Sequence, residues 1–201
     1  RLLSSMLDSA RRDPPVTRAQ QQTKALEALL KRALKPLGFS KTGHNWRLET
    51  EETVVVVNLQ KSPWSHDYYL NIGALVRTID DGSRTYGGSR PSVVDCHFRI
   101  RLEDLFPDKP APDKVVADAR QKILDLLDFN AMGPAHARRM KKLASIIDER
   151  LLPFLELCKT EAGIRKAIVD VLGFWYMTPP ALRKRLKIPE ALHGSARQYR
   201  K

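Results

Sequence analysis

Polar side chains recur at every second position in three stretches of the chain, and together they offer amide, phenol, imidazole and guanidinium groups. The set is Asn58, Gln60, Tyr69, Asn71, His97, Arg99 and Arg101. Amides and phenols both donate and accept hydrogen bonds, and guanidinium groups pair with carboxylates and phosphates. If the three stretches share one sheet, this face is a candidate site for a polar or anionic ligand. The alternative is an antiparallel sheet that exposes one polar face to water and binds nothing.

A short polar loop, residues 61–67, joins the first two of these stretches. Pro63 cannot donate to a strand ladder, and the Ser and Asp residues around it favour a turn. Trp64 either anchors a partner or covers the edge of the sheet. Lys61, Ser62 and Trp64 are therefore further candidate ligand-binding residues.

The basic C-terminal part of the chain offers a second candidate site. Residues 133–201 carry 15 Lys+Arg against 6 Asp+Glu, whereas residues 43–132 carry 11 against 14. Such a cluster can neutralise phosphates, and Trp175 or Tyr176 can stack on bases. A solvated basic face is the alternative, so we expect at most weak, non-specific nucleic-acid binding here. The candidate contacts are Arg183, Lys184, Arg185 and Lys187.

Sequence signatures of catalysis are missing. There is no Walker loop, dinucleotide fingerprint, His-Glu-x-x-His pair or Cys-x-x-Cys pair. Ser65, His66 and Asp67 are contiguous and cannot take the geometry of a hydrolase triad. Convergence of His44, His66 and His97 on the sheet is the alternative that would make a metal site. We predict no catalytic residue, cofactor or metal; a hydrolase or transferase of unknown substrate is the third hypothesis for function.

Alternating side chains predict the strands that position the polar set. Residues 54–60 are rich in valine, a β-branched residue that favours strands. Residues 68–76 alternate in the same way, and 44–49 and 94–102 complete the pattern. We therefore predict a four-stranded antiparallel sheet. Its expected core face consists of Val55, Val57, Leu59, Leu70, Ile72, Phe98 and Ile100.

Helical periodicity flanks the sheet on both sides. Leu26, Leu29, Leu30 and Leu34 make one apolar stripe in a helix from about Arg18, and we expect the sheet's core face to pack on it. Later helices are predicted after Asp113, Gly133 and Thr160 and over 181–187. The predicted fold is α+β: an N-terminal helix, a four-stranded antiparallel sheet packed on helices, and a helical C-terminal third.

Composition sets the broad class of protein. The chain has 201 residues, a formal net charge of +12 and 42% hydrophobic residues. We expect a single domain over 1–201, with a flexible segment 1–16 and a basic extension 179–201. No apolar run approaches the roughly 18 residues of a membrane helix, so no membrane is expected. Cys96 and Cys158 are expected to be buried free thiols, which favours the reducing cytoplasm.

Several short segments between residues 36 and 73 resemble one protein family. They are Pro36-Leu37-Gly38-Phe39-Ser40-Lys41, Trp46, Val57-Asn58-Leu59-Gln60-Lys61-Ser62 and Tyr68-Tyr69-Leu70-Asn71-Ile72-Gly73. Together they resemble the bacterial family known as domain of unknown function 4304. The resemblance implies a bacterial cytoplasmic α+β domain and no particular activity. We therefore predict a non-enzymatic binding or interaction module that uses the polar sheet face and the 61–67 loop; its partner is an unknown protein or a polar or anionic ligand.

Overall fold

A single antiparallel sheet forms the centre of the fold. The computed structural model describes residues 18–65, 67–79, 90–105, 113–129, 136–172 and 178–188. Its strands follow chain order across the sheet, and each pairs antiparallel with the next. They are β1 (Ser40–Thr42), β2 (Asn45–Glu49), β3 (Thr53–Lys61), β4 (Tyr68–Val76) and β5 (Phe98–Arg101).

Helices precede and follow the sheet, so the fold is α+β as predicted. They are α1 (Arg18–Leu34), α2 (Asp113–Leu127), α3 (His136–Ile146), α4 (Leu152–Leu157), α5 (Glu161–Lys166) and α6 (Pro180–Arg185). A π-helical turn, Ile147–Leu151, joins α3 to α4, and a second, Ala167–Leu172, extends α5. The Thr160 hydroxyl caps α5 by accepting from the Gly163 N–H at 3.0 Å.

One face of the sheet, here called the inner face, packs on the helices. The predicted core residues of β3, β4 and β5 are all buried there with Leu26, Leu30 and Leu34 of α1. Side chains from α2 to α6 complete the same cluster. Two hydroxyls tie the sheet to the C-terminal helices: Thr53 donates to the Cys158 carbonyl and Thr50 to the Lys159 carbonyl, both at 2.9 Å. The predicted core face is confirmed.

The predicted number of strands is wrong, because the sheet has five strands rather than four. The additional strand, β1, pairs with β2 through the turn at Gly43, whose φ is +59°. All the residues of β1 are exposed. An edge strand without a buried face carries no alternation of apolar and polar residues, so the pattern that identified the other strands was missing here.

The predicted strand 94–102 is also shorter than expected. Val93–Asp95 forms a 3₁₀ turn, and only Phe98–Arg101 pairs with β4. Asp95 fixes the turn, because its Oδ2 accepts from both the Ser92 N–H (2.7 Å) and the Ser92 hydroxyl (2.6 Å). Such local bonds compete with strand pairing. Val94 consequently points outward and is 66% exposed.

The C-terminal region packs on the core at least as far as Ile188. Leu182, Leu186 and Ile188 are buried, so the first part of the predicted basic extension belongs to the folded structure. Cys96 and Cys158 are buried free thiols, as predicted. None of the helices in the described part of the chain is long and apolar enough to cross a membrane. The predicted flexible segment 1–16 lies outside the described residues.

Candidate functional site

The second face of the sheet, here called the outer face, is divided in two by the segment Ser92–Cys96. This segment crosses one half and buries Val54, Val56 and Leu75 under Cys96. The other half, towards the 61–67 loop, carries polar side chains and has no such cover among the described residues. The candidate site is therefore half of the predicted polar face.

Close packing and one buried arginine hold the covering segment in place. Gly73 lies directly under Cys96, and a side chain on Gly73 would place a Cβ atom 2.6 Å from the Cys96 Sγ. Beside it, the buried Arg47 donates from Nε to the Pro91 carbonyl at 2.5 Å. Burial and the nearby charge of Arg90 lower the pKa of Arg47.

A row of side-chain amides runs across the exposed half of the outer face. Asn45, Asn58 and Asn71 are direct cross-strand neighbours on β2, β3 and β4, and Arg101 continues the row on β5. Asn58 donates to Asn45 Oδ1 at 2.9 Å, while Asn71 donates to Asn58 Oδ1 at 3.2 Å and to Gln60 Oε1 at 3.0 Å. We call Asn45, Asn58, Gln60 and Asn71 the amide row.

The amide row keeps unused hydrogen-bonding atoms that point away from its own network. Among the described residues, no protein partner is present for Asn45 Nδ2, Gln60 Nε2 or Asn71 Oδ1. These atoms supply two donor groups and one acceptor on neighbouring strands. A ligand with complementary polar groups can bond to them without disturbing the bonds inside the row.

Positive charge surrounds the amide row. Lys61, Arg99 and Arg101 are all exposed. The Arg101 guanidinium lies over the Tyr69 ring, 4.5 Å from its centroid, which is a cation–π arrangement. We use the name open face for the outer-face residues Asn45, Asn58, Gln60, Tyr69, Asn71, Arg99 and Arg101, together with Lys61. Lys61 ends β3 opposite Tyr68, so it has the alternation of the inner face, but it borders the same pocket as Asn58 and Gln60.

Part of the open face, together with neighbouring residues, lines a shallow pocket that the sequence did not predict. The pocket has a volume of about 450 Å³, and its wall includes His44, Asn45 and the Ser92–Val94 segment. His44 also pairs with Glu27 of α1 at 3.0 Å. Asn45 occupied an outward position of a predicted strand, so its period-two spacing was the signal that would have found it. The segment 92–94 gave no such signal, and its last residue, Val94, was assigned to the start of the predicted strand 94–102.

The predicted candidate residues of the 61–67 loop have different environments in the structure. Ser62 is buried and shapes the turn: its N–H donates to the Asp67 carbonyl at 2.8 Å, and its Oγ accepts from the Trp64 N–H at 3.2 Å. Trp64 is 94% exposed and therefore does not cover the sheet edge. His66 lies outside the described residues.

His97 does not belong to the open face. It is 3% exposed, and its Nδ1 accepts from the Val76 N–H at 3.1 Å. The imidazole thus satisfies the backbone at the end of β4. In the described part of the chain, no group of three or more His, Cys, Asp or Glu side chains is placed to hold a metal ion.

Comparison with known proteins identifies the family. Residues 30–157 match the model of the family described as Domain of unknown function (DUF4304). The chain belongs to this family. The matched residues of this DUF4304 protein include the whole open face and end with α4. The comparison with curated proteins and the comparison with solved structures each gave no match.

The second candidate site lies on α6 and at Lys187 just after it, outside the segment that matches DUF4304. Arg185 is bound there by Glu161 of α5 through two hydrogen bonds of 2.9 and 3.1 Å. Burial would raise the pKa of Glu161, but the bonds from Arg185 and Thr78 lower it below its usual value. Lys184 and Lys187 are exposed, and Arg183 is half-buried. Trp175 and Tyr176 lie outside the described residues.

Proposed function

We propose that this DUF4304 protein is a binding module whose open face recognises a polar partner that carries acidic groups. The observation that carries the proposal is the amide row, with its unused atoms Asn45 Nδ2, Gln60 Nε2 and Asn71 Oδ1. The row is already ordered by its own hydrogen bonds. A ligand therefore meets fixed donors and acceptors, which reduces the entropy lost on binding.

The charge of the open face supports an acidic partner. Lys61, Arg99 and Arg101 flank the amide row, and none of the open-face positions holds a carboxylate. The Arg101 guanidinium lies over the Tyr69 ring, and this contact restricts where it can lie. A planar guanidinium favours two-point binding of a carboxylate.

Trp64 supports a protein partner over a small molecule. The side chain projects into solvent from the loop that follows β3, where it is 94% exposed. Tryptophan is enriched among the residues that dominate binding energy at protein interfaces. We place the protein in the bacterial cytoplasm, where the buried thiols of Cys96 and Cys158 stay reduced.

An NMR titration with two capped tetrapeptides tests the proposal. One is acetyl-Asp-Glu-Asp-Glu-amide, and the other replaces each carboxylate by its amide. We expect the acidic peptide to shift the side-chain NH₂ signals of Asn45 and Gln60 and the indole N–H signal of Trp64. The neutral peptide should bind at least about tenfold more weakly, because it loses charge-assisted hydrogen bonds of roughly 1.5–3 kcal/mol.

A matched pair of variants identifies the face. Asn71→Leu keeps the number and branching of the side-chain heavy atoms but removes the amide that bonds to Asn58 and Gln60, and it should weaken binding of the acidic peptide. Gln20→Leu makes a comparable change at an exposed position on α1 and should not. Equal binding by both variants would refute the role of the amide row. Shifts confined to the α6 residues would instead favour non-specific attraction to the basic C-terminal region.

Nucleic-acid binding through Arg183, Lys184, Arg185 and Lys187 stays a prediction, and so does hydrolase or transferase activity. The bidentate pair with Glu161 occupies one of these four cations and reduces the charge available to phosphates. This is why we rank the nucleic-acid hypothesis below peptide binding at the open face.

A further inference from the structure

A second pocket lies where the sheet meets α2. It is bounded by the start of β4, the residues that follow β5 and the outward side of α2, and its volume is about 540 Å³. This volume is within the range of small-molecule sites. Its wall consists of Asp67, Tyr68, Tyr69, Arg101, Glu103, Arg120, Gln121, Leu124, Asp125 and Asp128. We call it the acidic pocket.

Negative charge is in excess in the acidic pocket. Its wall holds four carboxyl groups and two guanidinium groups. Both guanidinium groups have other contacts: Arg120 pairs with Asp104, and Arg101 stacks on Tyr69. The pocket therefore differs in sign from the neighbouring open face.

Glu103 is a buried carboxyl group in this wall. It is 3% exposed, and among the described residues its Oε2 has no hydrogen-bond partner. Its Oε1 lies 3.8 Å from Arg101 Nη1, which is longer than a hydrogen bond. A buried carboxylate oxygen without a donor costs free energy, because hydration is lost and nothing replaces it.

The pKa of Glu103 is raised above its usual value, as expected for a buried carboxyl group. Burial raises its pKa, and the negative charge of Asp104 adds to this effect. A hydrogen bond to its own backbone and the charges of Arg101 and Arg120 oppose the rise without cancelling it.

We propose that the acidic pocket binds an organic cation of the alkylguanidinium or alkylammonium class, with Glu103 as the principal acceptor. The cation supplies the N–H donors that Glu103 Oε2 lacks, and its charge balances the excess of carboxylates. Tyr69 and Leu124 offer apolar surface to the alkyl chain. The pocket shares Tyr69 and Arg101 with the open face, but the proposal does not depend on the peptide-binding role of that face.

Calorimetric titration of the full chain with agmatine tests the proposal. Agmatine carries both a guanidinium and an ammonium group on a short alkyl chain. We expect saturable binding with a Kd below about 1 mM. The capped tripeptide acetyl-Gly-Arg-Gly-amide separates the two sources of such a cation. If it binds more tightly than agmatine, the natural source is an arginine side chain of a partner; if more weakly, the source is a free small molecule. Failure of both to bind would overturn the proposal.

Two substitutions with a matched control locate the site. Glu103→Gln keeps the shape of the side chain and should weaken agmatine binding at least about tenfold, the effect of losing one charged hydrogen bond. Asp125→Asn, at an exposed position of the wall, should weaken it by a smaller factor. Glu51→Gln removes the same charge from an exposed turn before β3 and should leave binding unchanged. Equal losses in all three variants would show attraction by net charge alone and refute the pocket.

The pH dependence of binding separates a ligand contact from a structural role. A cation prefers ionised Glu103, and the pKa of Glu103 is raised above the usual 4.5, so agmatine affinity should rise as pH is increased from that value, over a range in which agmatine stays a dication. Glu103→Gln should remove this rise, and an unchanged profile in that variant would contradict the assignment. Asn58→Leu, which alters only the open face, should leave agmatine binding intact whatever its effect on the acidic peptide. The charged groups that act on Glu103 are Asp104, Arg101 and Arg120, and the pocket wall adds Asp67, Asp125 and Asp128.

Discussion

Gly73→Ala tests the packing that keeps half of the outer face covered. An added Cβ atom at this position would lie 2.6 Å from Cys96 Sγ, 2.8 Å from Cys96 Cβ and 3.0 Å from Val93 Cγ2. Cys96 is a buried residue of the covering segment and is 1% exposed, so it has little room to move away. The segment Ser92–Cys96 must therefore shift outward, or β4 must bend.

The expected cost of this substitution is about 1–3 kcal/mol, the usual penalty of overpacking a well-filled core. For a chain of this size it corresponds to a loss of roughly 2–12 °C in Tm. The Cys96→Ala variant supplies the decisive comparison. It removes the closest clashing atom, Sγ, at the cost of a small cavity. In that background Gly73→Ala should cost at least about 0.5 kcal/mol less, a coupling typical of residues in direct contact.

Urea denaturation of the wild type, the two single variants and the double variant measures this coupling. Circular dichroism follows unfolding, and the midpoints are compared at constant slope. If the two free-energy losses simply add, Gly73 and Cys96 do not clash and the described packing of the covering segment is incorrect. A stabilised Gly73→Ala single variant would refute the reasoning in the same way.

Three further predictions concern the core, the α5–α6 contact and the basic helix. Ile72→Ala should lower the unfolding free energy by about 2–5 kcal/mol, because Ile72 is fully buried. Asn71→Ala should lower it by about 1 kcal/mol or less. Equal losses in urea denaturation would contradict the assignment of the two faces. The pKa of Glu161 is lowered in the folded state, so its contribution to stability is present at neutral pH and is lost as pH falls below its usual value of 4.5. Arg185→Gln should reduce this loss of stability at acidic pH, which is measured by denaturation curves at neutral and acidic pH. The same loss in the wild type and the variant would exclude the Glu161–Arg185 pair as its cause. Lys184→Gln should reduce the salt dependence of binding to a generic DNA duplex by about one unit of slope, and an unchanged slope would remove this residue from the predicted contacts.

The inner face was predictable because burial imposes a period of two on the sequence. Val55, Val57 and Leu59 reveal a buried strand without any structural information, and Leu70 and Ile72 repeat the signal. Strand β1 and the 3₁₀ turn Val93–Asp95 escaped the same reasoning. The first has no buried face, and the second is set by local bonds to Asp95 that no periodicity records.

The candidate site was only half predictable for a related reason. The alternation that identified Asn58, Gln60, Tyr69 and Asn71 shows that they share a face, but it does not show what crosses that face. His97 had the spacing of an exposed residue and is instead buried against the Val76 N–H. The acidic pocket depends on the approach of α2 to the end of the sheet, and nothing in the local sequence around Glu103 fixes that long-range contact.

The amide row itself is hard to explain as a solvated surface. Asparagine is depleted from β-strands, yet Asn45, Asn58 and Asn71 occupy directly paired positions on three neighbouring strands. Threonine would serve a wet sheet face with a higher strand preference than asparagine. The inner core does not require these amides, because they lie on the opposite face from it. Residues that act against the local preference of their element are expected where function selects them, and the unused donors and acceptor of this row are what a polar ligand would use.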